Sequence, residues 1–346
     1  MISQKVIGGQ GMQATKLKAG IGVNPGHGSL KIVLIQDGHE RQEVLLPALV
    51  SRAERQLRGA IVTIPTVNIG DQKFWVGEDA LVGNPLTALN QARINDDSYI
   101  PALVKSGLRH LTPNGQSVEA TVAQAFCVTG LPATWSTDRD LANTLVERLR
   151  QVGLRPRRVI AEPVGLGYAC VLNDDGEIVG DERILSGKVA VIDIGHHTVD
   201  GCVLNKLAPV PKSLLTYNLG TAHALLEVAQ QLSARYELEL NLYQADQAVR
   251  RGVLTLGGAD EPLPQGHDAP ITEMARSVAD RLKAAWGNGL QFDAILIGGG
   301  GENLRPVVDT LCETFPRNAR PTTFGQMGVA LGYARLARHL VRASQG

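Results

Sequence analysis

Two short segments of this chain follow an apolar strand with groups that can grip phosphate. In Gly22-Val23-Asn24-Pro25-Gly26-His27-Gly28-Ser29-Leu30-Lys31 a strand runs into a glycine-rich turn, and a lysine follows it. Such a hairpin offers successive backbone N–H groups to an anion. Lys31 can reach a β- or γ-phosphate, although a lysine at a strand edge would read the same way. In Val191-Ile192-Asp193-Ile194-Gly195-His196-His197-Thr198-Val199-Asp200 the strand delivers a carboxylate at its end. The turn's N–H groups can hold phosphate oxygens and Asp193 can hold Mg²⁺ through waters. An ordinary hairpin capped by its own aspartate is the simpler alternative. A third element, Ile295-Leu296-Ile297-Gly298-Gly299-Gly300-Gly301, places glycines directly after a buried strand, where a flat or anionic ligand can approach the backbone closely. It is not a dinucleotide fingerprint, because it comes late in the chain and no strand–helix–strand start surrounds it. Glu162, at a strand end just before Pro163, can orient or deprotonate an attacking water, or can simply complement a helix dipole.

These groups need a particular order of elements. Strands are expected at 19–24, 30–36 and 42–46, as an antiparallel meander with glycine turns. Residues 48–112 are polar and patchy, with strands at 60–69 and 73–76 and a helix ending near His110, and read as an inserted lobe. A helix then runs into a strand over 117–129. Leu141, Leu145, Val146, Leu149 and Val152 recur at helical spacing, predicting a helix over 138–152. A strand at 158–161 and a small-residue helix at 163–172 follow. The opening pattern then returns, with strands at 189–193 and 199–204, a further strand at 214–217 and a helix from Thr221 to Tyr236. A strand at 294–297, a helix after the glycines and a final helix over 327–341 complete the chain. The strand–turn–strand unit at 20–36 and again at 189–204 implies two similar domains.

The totals agree with this division. The chain has 346 residues, 44% hydrophobic, more than one ordinary core would use. Its 38 glycines and 4% aromatic content suit an α/β fold with many tight turns. A net charge of +0 gives no global sign of direct nucleic-acid or membrane-surface binding. The four cysteines, Cys127, Cys170, Cys202 and Cys312, are scattered without ligand spacing, so reduced, buried thiols are expected rather than disulfides or a metal site. With no apolar run of about 18 residues and no signal-like start, a cytoplasmic protein is expected, residues 1–15 being a frayed lead-in.

In this order, the elements resemble the actin, sugar-kinase and heat-shock-chaperone ATPase superfamily. Residues 24–31 are similar to its phosphate-1 loop, Glu162–Ala169 to its first connecting helix and 193–200 to its phosphate-2 loop. Residues 298–301 resemble its adenosine motif and 325–332 its second connecting helix. The length and compact lobe are most similar to the ParM/StbA plasmid-segregation actins and archaeal actin-like proteins. The resemblance implies two ribonuclease-H-like actin-fold domains, each a mixed sheet flanked by helices. The first would be 1–187 plus 322–346, carrying the lobe, and the second 188–321. It implies ATP (or GTP) with Mg²⁺ in the cleft, self-assembly into filaments, and hydrolysis that destabilises them. It also implies a DNA-bound adaptor rather than direct nucleic-acid contact. Carried onto this chain, Asp193 organises Mg²⁺ and its waters. Gly195, His196, His197 and Thr198 line the phosphates from one side, and Asn24, Gly26, Gly28, Ser29 and Lys31 from the other. Glu162 positions the lytic water, Gly220 and Thr221 open a helix near the nucleotide, and Gly298, Gly299, Gly300 and Gly301 pass the ribose and adenine. Two departures matter: Asn24 stands where the pattern has aspartate, and His196-His197 where it has small residues. The lost charge weakens metal binding and slows hydrolysis. A small-molecule kinase of this fold, or a nucleotide-dependent regulator that does not polymerise, are the alternatives.

Overall fold

The computed structural model describes residues 19–54, 63–86, 91–113 and 117–344. The lead-in expected at 1–15 lies outside them. The chain opens on the expected meander, β1 (Ala19–Pro25), β2 (Ser29–Gln36) and β3 (Gln42–Pro47). Three short strands follow, β4 (Val50–Arg52), β5 (Val67–Ile69) and β6 (Gln72–Val76), forming a separate small sheet with β6 in the middle. The strand expected over 60–69 is confined to Val67–Ile69; residues 60–62 lie outside the described residues, and Pro65 has no N–H to give a ladder. Then come α1 (Ala92–Asn95), α2 (Tyr99–Leu108), α3 (Val118–Gln124), β7 (Phe126–Leu131), α4 (Arg139–Arg150), β8 (Pro156–Ala161), α5 (Glu162–Ala169) and α6 (Glu182–Leu185). The predicted helix at 138–152 forms as α4: the Asp138 carboxylate accepts from the N–H groups of Asp140 and Leu141, and Leu141, Leu145 and Leu149 are buried.

The second half repeats the opening. β9 (Lys188–Ile194) and β10 (Val199–Asn205) form a hairpin, followed by β11 (Ala208–Pro209), β12 (Leu215–Tyr217), α7 (Thr221–Tyr236) and α8 (Leu242–Arg251). A small hairpin of β13 (Val253–Leu256) and β14 (Ala259–Pro262) leads to α9 (Ala269–Trp286). β15 (Ala294–Gly298), α10 (Arg305–Thr314), β16 (Ala319–Pro321) and α11 (Gly328–Ala343) end the chain.

The two main sheets have matching orders, β3-β2-β1-β7-β8 and β11-β10-β9-β15-β16. In each, an antiparallel hairpin is joined to parallel strands: β1 pairs with β7 as β9 pairs with β15. Both faces of the first sheet are covered. Leu30, Ile32 and Leu34 of β2 join a core with Ile100 and Leu103 of α2, while Val33 and Ile35 pack with Ala330, Leu331 and Ala334 of α11. β2 therefore reads as a continuous apolar run rather than an alternating one. The inserted segment has its own sheet but no core of its own, since Phe74 and Val76 of β6 share the cluster of Ile21 and Ile32. Of the cysteines, Cys127 and Cys202 are buried but Cys170 and Cys312 only half-buried.

The C-terminal helix α11 returns to the first sheet and crosses α5 without side chains between the backbones. A Cβ added at Gly332 would lie 1.7 Å from the carbonyl oxygen of Gly165, and one at Gly22 of β1 would lie 2.1 Å from that of Ala330. Tyr333, wholly buried, lies against Gly165 and Gly130 in the space this leaves. Because Glu162 sits on α5, this crossing fixes its position. Gly332→Leu is expected to lower unfolding free energy by about 3 kcal/mol or more through overpacking, measured by denaturant titration. A change within about 0.5 kcal/mol, the range of a neutral surface substitution, would contradict the crossing.

Candidate functional site

The β1–β2 and β9–β10 turns face each other across a cleft of about 1290 Å³, open to solvent. Their approach is close: a Cβ on Gly28 would lie 2.7 Å from Cγ of His196. Gly26 leaves room for the Lys31 ammonium, whose Nζ would be 2.8 Å from a Cβ placed there. Lys31 stands opposite Asn24 in the hairpin register. Asn24 is 4% exposed, and its Oδ1 has no hydrogen-bond partner among the described residues. In the second turn Gly195 N–H donates to the Thr198 carbonyl at 2.9 Å. The start of α7 then holds the turn from behind. Thr221 N–H donates to Gly195 O (3.1 Å), Ala222 N–H to His196 O (2.8 Å) and Gly220 N–H to His197 O (3.0 Å). These first N–H groups of α7 are thus spent on the turn. The N–H groups of His196 and His197, like those of Gly26 and His27, donate to no described residue. Both turns therefore keep free backbone donors, the requirement for an anion nest.

The cleft floor is acidic. Asp193, at the end of β9, is 5% exposed, and Glu162 is the first residue of α5. Asp200 pairs with Asp193 across the hairpin and is fully engaged. Its Oδ1 accepts from Ala133 N–H and Thr216 Oγ1, and its Oδ2 from Thr198 Oγ1, each at 2.6 Å. Asp200 thus orients the Thr198 hydroxyl and ties the turn to β12 and to the loop after β7. Burial, and then the charges of Asp193 and Asp200, push Glu162 up to about 8, with Lys31 and Arg93 pulling the other way. Burial and Asp200 push Asp193 up to about 7. Lys31 is itself lowered, chiefly by burial, although Glu162 and Asp193 oppose the shift. The Lys31 ammonium and the buried Arg93 guanidinium together still leave the carboxylates under-compensated, since Glu162 and Asp193 stay raised.

No group of three or more Cys, His, Asp or Glu side chains is arranged to hold a metal directly among the described residues. The donor set instead fits a hard cation held through waters and shared with an anionic ligand: a buried carboxylate, Asp193, under-compensated charge around it, and the unpartnered amide oxygen of Asn24.

Three imidazoles crowd the seam. The rings of His27 and His197, one from each half, have centroids 4.8 Å apart, and His27 meets Trp135 edge-on at 5.7 Å. Burial holds His27 well below the usual histidine range and pushes His196 down to about 4; His197 is lowered by burial and then by His223. All three are neutral near pH 7, and His27 Nε2 and His197 Nδ1 have no hydrogen-bond partner among the described residues. Neutral rings can act as hydrogen-bond donors here without adding charge.

Of the residues expected from sequence, Asn24, Gly26, Gly28, Ser29, Lys31, Glu162, Asp193, Gly195, His196, His197, Thr198, Thr221, Gly299 and Gly300 line this one cleft. Gly220, Gly298 and Gly301 do not. Gly220 lies beneath the His196–His197 backbone, Gly298 against Leu166 and Thr322, and Gly301 against Ile194, where side chains would collide. Of the four glycines only Gly299 and Gly300 face the ligand space. Gly299, at φ +82, lets the backbone pass within 2.1 Å, by an added Cβ, of the Asp193 carboxylate. Sequence reasoning missed His27, Asp200 and the α8 residues. Arg250 of α8 pairs with Asp246 at 3.0 Å and donates to the Gly300 carbonyl at 3.0 Å, bracing the glycine turn. Tyr243 donates to Glu78 of the inserted segment, bridging the cleft mouth.

Residues 191–310 match the family model described as archaeal actin homologue MreB-like, C-terminal. No curated protein matches the chain by sequence. Among solved structures, a ParM filament from Clostridium botulinum aligns with TM-score 0.68 at 18% identity, covering 93% of this chain and 99% of that one. The archaeal actin homologue Ta0583 aligns with TM-score 0.66 at 19% identity, covering 94% and 99%. MreB 5 of Spiroplasma citri bound to AMPPNP aligns with TM-score 0.66 at 11% identity, covering 95% and 98%. The chain is actin-like in fold, with the two similar halves that its internal repeat predicts.

The carboxylates set a pH dependence. Glu162 and Asp193 keep protons in the fold that the unfolded chain loses near pH 4–4.5, so folding takes up protons and stability falls as pH rises toward about 8. The depressed histidines act in the opposite sense, but only below the unfolded histidine value near 6.5. Ligand-free protein should therefore lose on the order of 1 kcal/mol of stability between pH 6.5 and 8.5, and Glu162→Gln should flatten most of that slope. Unfolding curves across this range check it; stability that rises with pH there would contradict it.

Proposed function

We propose that this chain is an actin-like nucleotide-binding protein that assembles into ATP-dependent filaments and hydrolyses its nucleotide slowly. The observation that carries the reading is the pairing of two turns, one from each half, that present free N–H groups and Lys31 to the same space above under-compensated carboxylates. A nucleoside triphosphate with a divalent cation answers both needs at once: its phosphates accept the N–H groups, and the cation relieves Glu162 and Asp193. Two of the similar structures, a filament and an AMPPNP complex, support the same reading.

In this reading, Lys31 and the turn N–H groups neutralise and orient the phosphates. Asp193 would hold a hydrated Mg²⁺, which would supply the remaining charge compensation when bound. Glu162 holds a proton in the ligand-free cleft; positive charge entering beside it lowers its proton affinity, leaving a carboxylate that orients the attacking water. Asp200 fixes the Thr198 hydroxyl as one more donor. Asn24 contributes hydrogen bonding but no charge, which makes turnover slow. The same residue favours the second reading, a nucleotide-dependent regulator that does not polymerise. ATP, or GTP in its place, would drive cytoplasmic filaments that position plasmid DNA through a DNA-bound adaptor or position another cargo.

Sedimentation with Mg²⁺ and ATP or ADP tests the reading. Wild-type protein should pellet with ATP and disperse as phosphate is released. Glu162→Gln should still pellet, with phosphate release reduced about 10²-fold or more. Nucleotide binding without pelleting in either form would replace the filament reading with the regulator.

A further inference from the structure

Away from the cleft, the outer face of the first half carries a groove of about 1950 Å³ between the C-terminal ends of α2 and α4, helix α3 and the start of β8. Five cations border it, Lys105, Arg109, Arg150, Arg155 and Arg157, against one carboxylate, Glu119. None of the five makes an ion pair with a described carboxylate. Among the described residues Lys105 and Arg109 donate only to the carbonyls of Asn68 and Thr66, which position them without neutralising them. The four arginines are exposed and Lys105 is half-buried. In a chain of net charge +0 this is a local excess that the sum conceals.

The groove's chemistry selects among anions. Its apolar lining is mostly withdrawn, with Leu154 0%, Val122 2% and Leu108 7% exposed, so a visiting peptide gains little apolar burial. What the groove offers is a set of guanidinium forks, which match phosphate oxygens two at a time. We propose that this groove binds the phosphodiester backbone of a duplex nucleic acid directly, through Arg150, Arg155, Arg157, Arg109 and Lys105. Recognition is by charge, since guanidinium and ammonium contacts to phosphates carry no base sequence. The proposal does not depend on nucleotide binding in the cleft, and in a filament the sites would act together.

Fluorescence anisotropy of a labelled 20-base-pair DNA duplex tests this, titrated with the full-length protein at several salt concentrations without nucleotide. Binding should weaken with salt along a log–log slope of about −4.5, the value for some five phosphate contacts on duplex DNA. The triple variant Arg150→Glu, Arg155→Glu, Arg157→Glu should lose at least about tenfold in affinity. Arg276→Glu, Arg281→Glu, Arg317→Glu makes the same change of net charge at exposed arginines elsewhere and should bind like wild type. Equal loss in both triple variants, or no duplex binding at low salt, overturns the proposal. So does tighter, groove-dependent binding of polyglutamate or of phosphatidylserine vesicles, which would make the site one for an acidic protein or a membrane. A labelled RNA duplex, run in parallel, identifies which nucleic acid is preferred.

Discussion

The cleft is organised around an imbalance of charge. Glu162, Asp193 and Asp200 approach one another on a buried floor that has Lys31 as its ammonium. Burial and mutual repulsion raise the two carboxylates that face the ligand space. Asp200 is satisfied by three hydrogen bonds and acts as a strut. The other two have no equivalent network among the described residues and hold their protons more tightly instead. Such a floor is costly to fold in the absence of ligand, and the cost is recovered when positive charge enters. Stability is in this sense exchanged for binding, which is a common arrangement at functional sites.

Rigid neighbours make that imbalance possible. α11 and α5 cross at glycines, so Glu162 cannot retreat, and Gly299 closes on Asp193 from β15. The start of α7 grips the carbonyls of the β9–β10 turn and aims its N–H groups outward. Across the mouth, Tyr243 and Glu78 join the second half to the inserted segment, and in the seam His27 faces His197. These contacts hold the halves together at two levels. A ligand between them adds a third, and any change in their closure passes through the same turns.

Much of this was legible in the sequence because it is local. Strand, glycine turn and strand lie within about fifteen residues in each half, and the repeat of that unit revealed the two-part architecture. Glu162 before Pro163 and the glycines after Ile297 were equally visible, since a strand end and a helix start leave adjacent signals. What stayed hidden depends on residues far apart in the chain. Asp200 matters through Ala133 and Thr216, and Tyr243 through Glu78, 165 positions away. Gly298 and Gly301 looked identical to Gly299 and Gly300, yet the neighbours Leu166 and Ile194 make them packing positions. The net charge of +0 likewise gave no sign of the cationic groove of the first half, because it averages that groove with the rest of the surface.

The central claim, that a cation and a phosphate ligand relieve protonated carboxylates in this cleft, is tested most directly by the protons themselves. Titration calorimetry of Mg²⁺–ATP at pH 7, repeated in buffers of different ionisation enthalpy, measures binding and proton transfer together. The account predicts saturable binding with release of about one proton, reduced in Glu162→Gln. Binding with no proton released, or with the same release in Glu162→Gln, would contradict it.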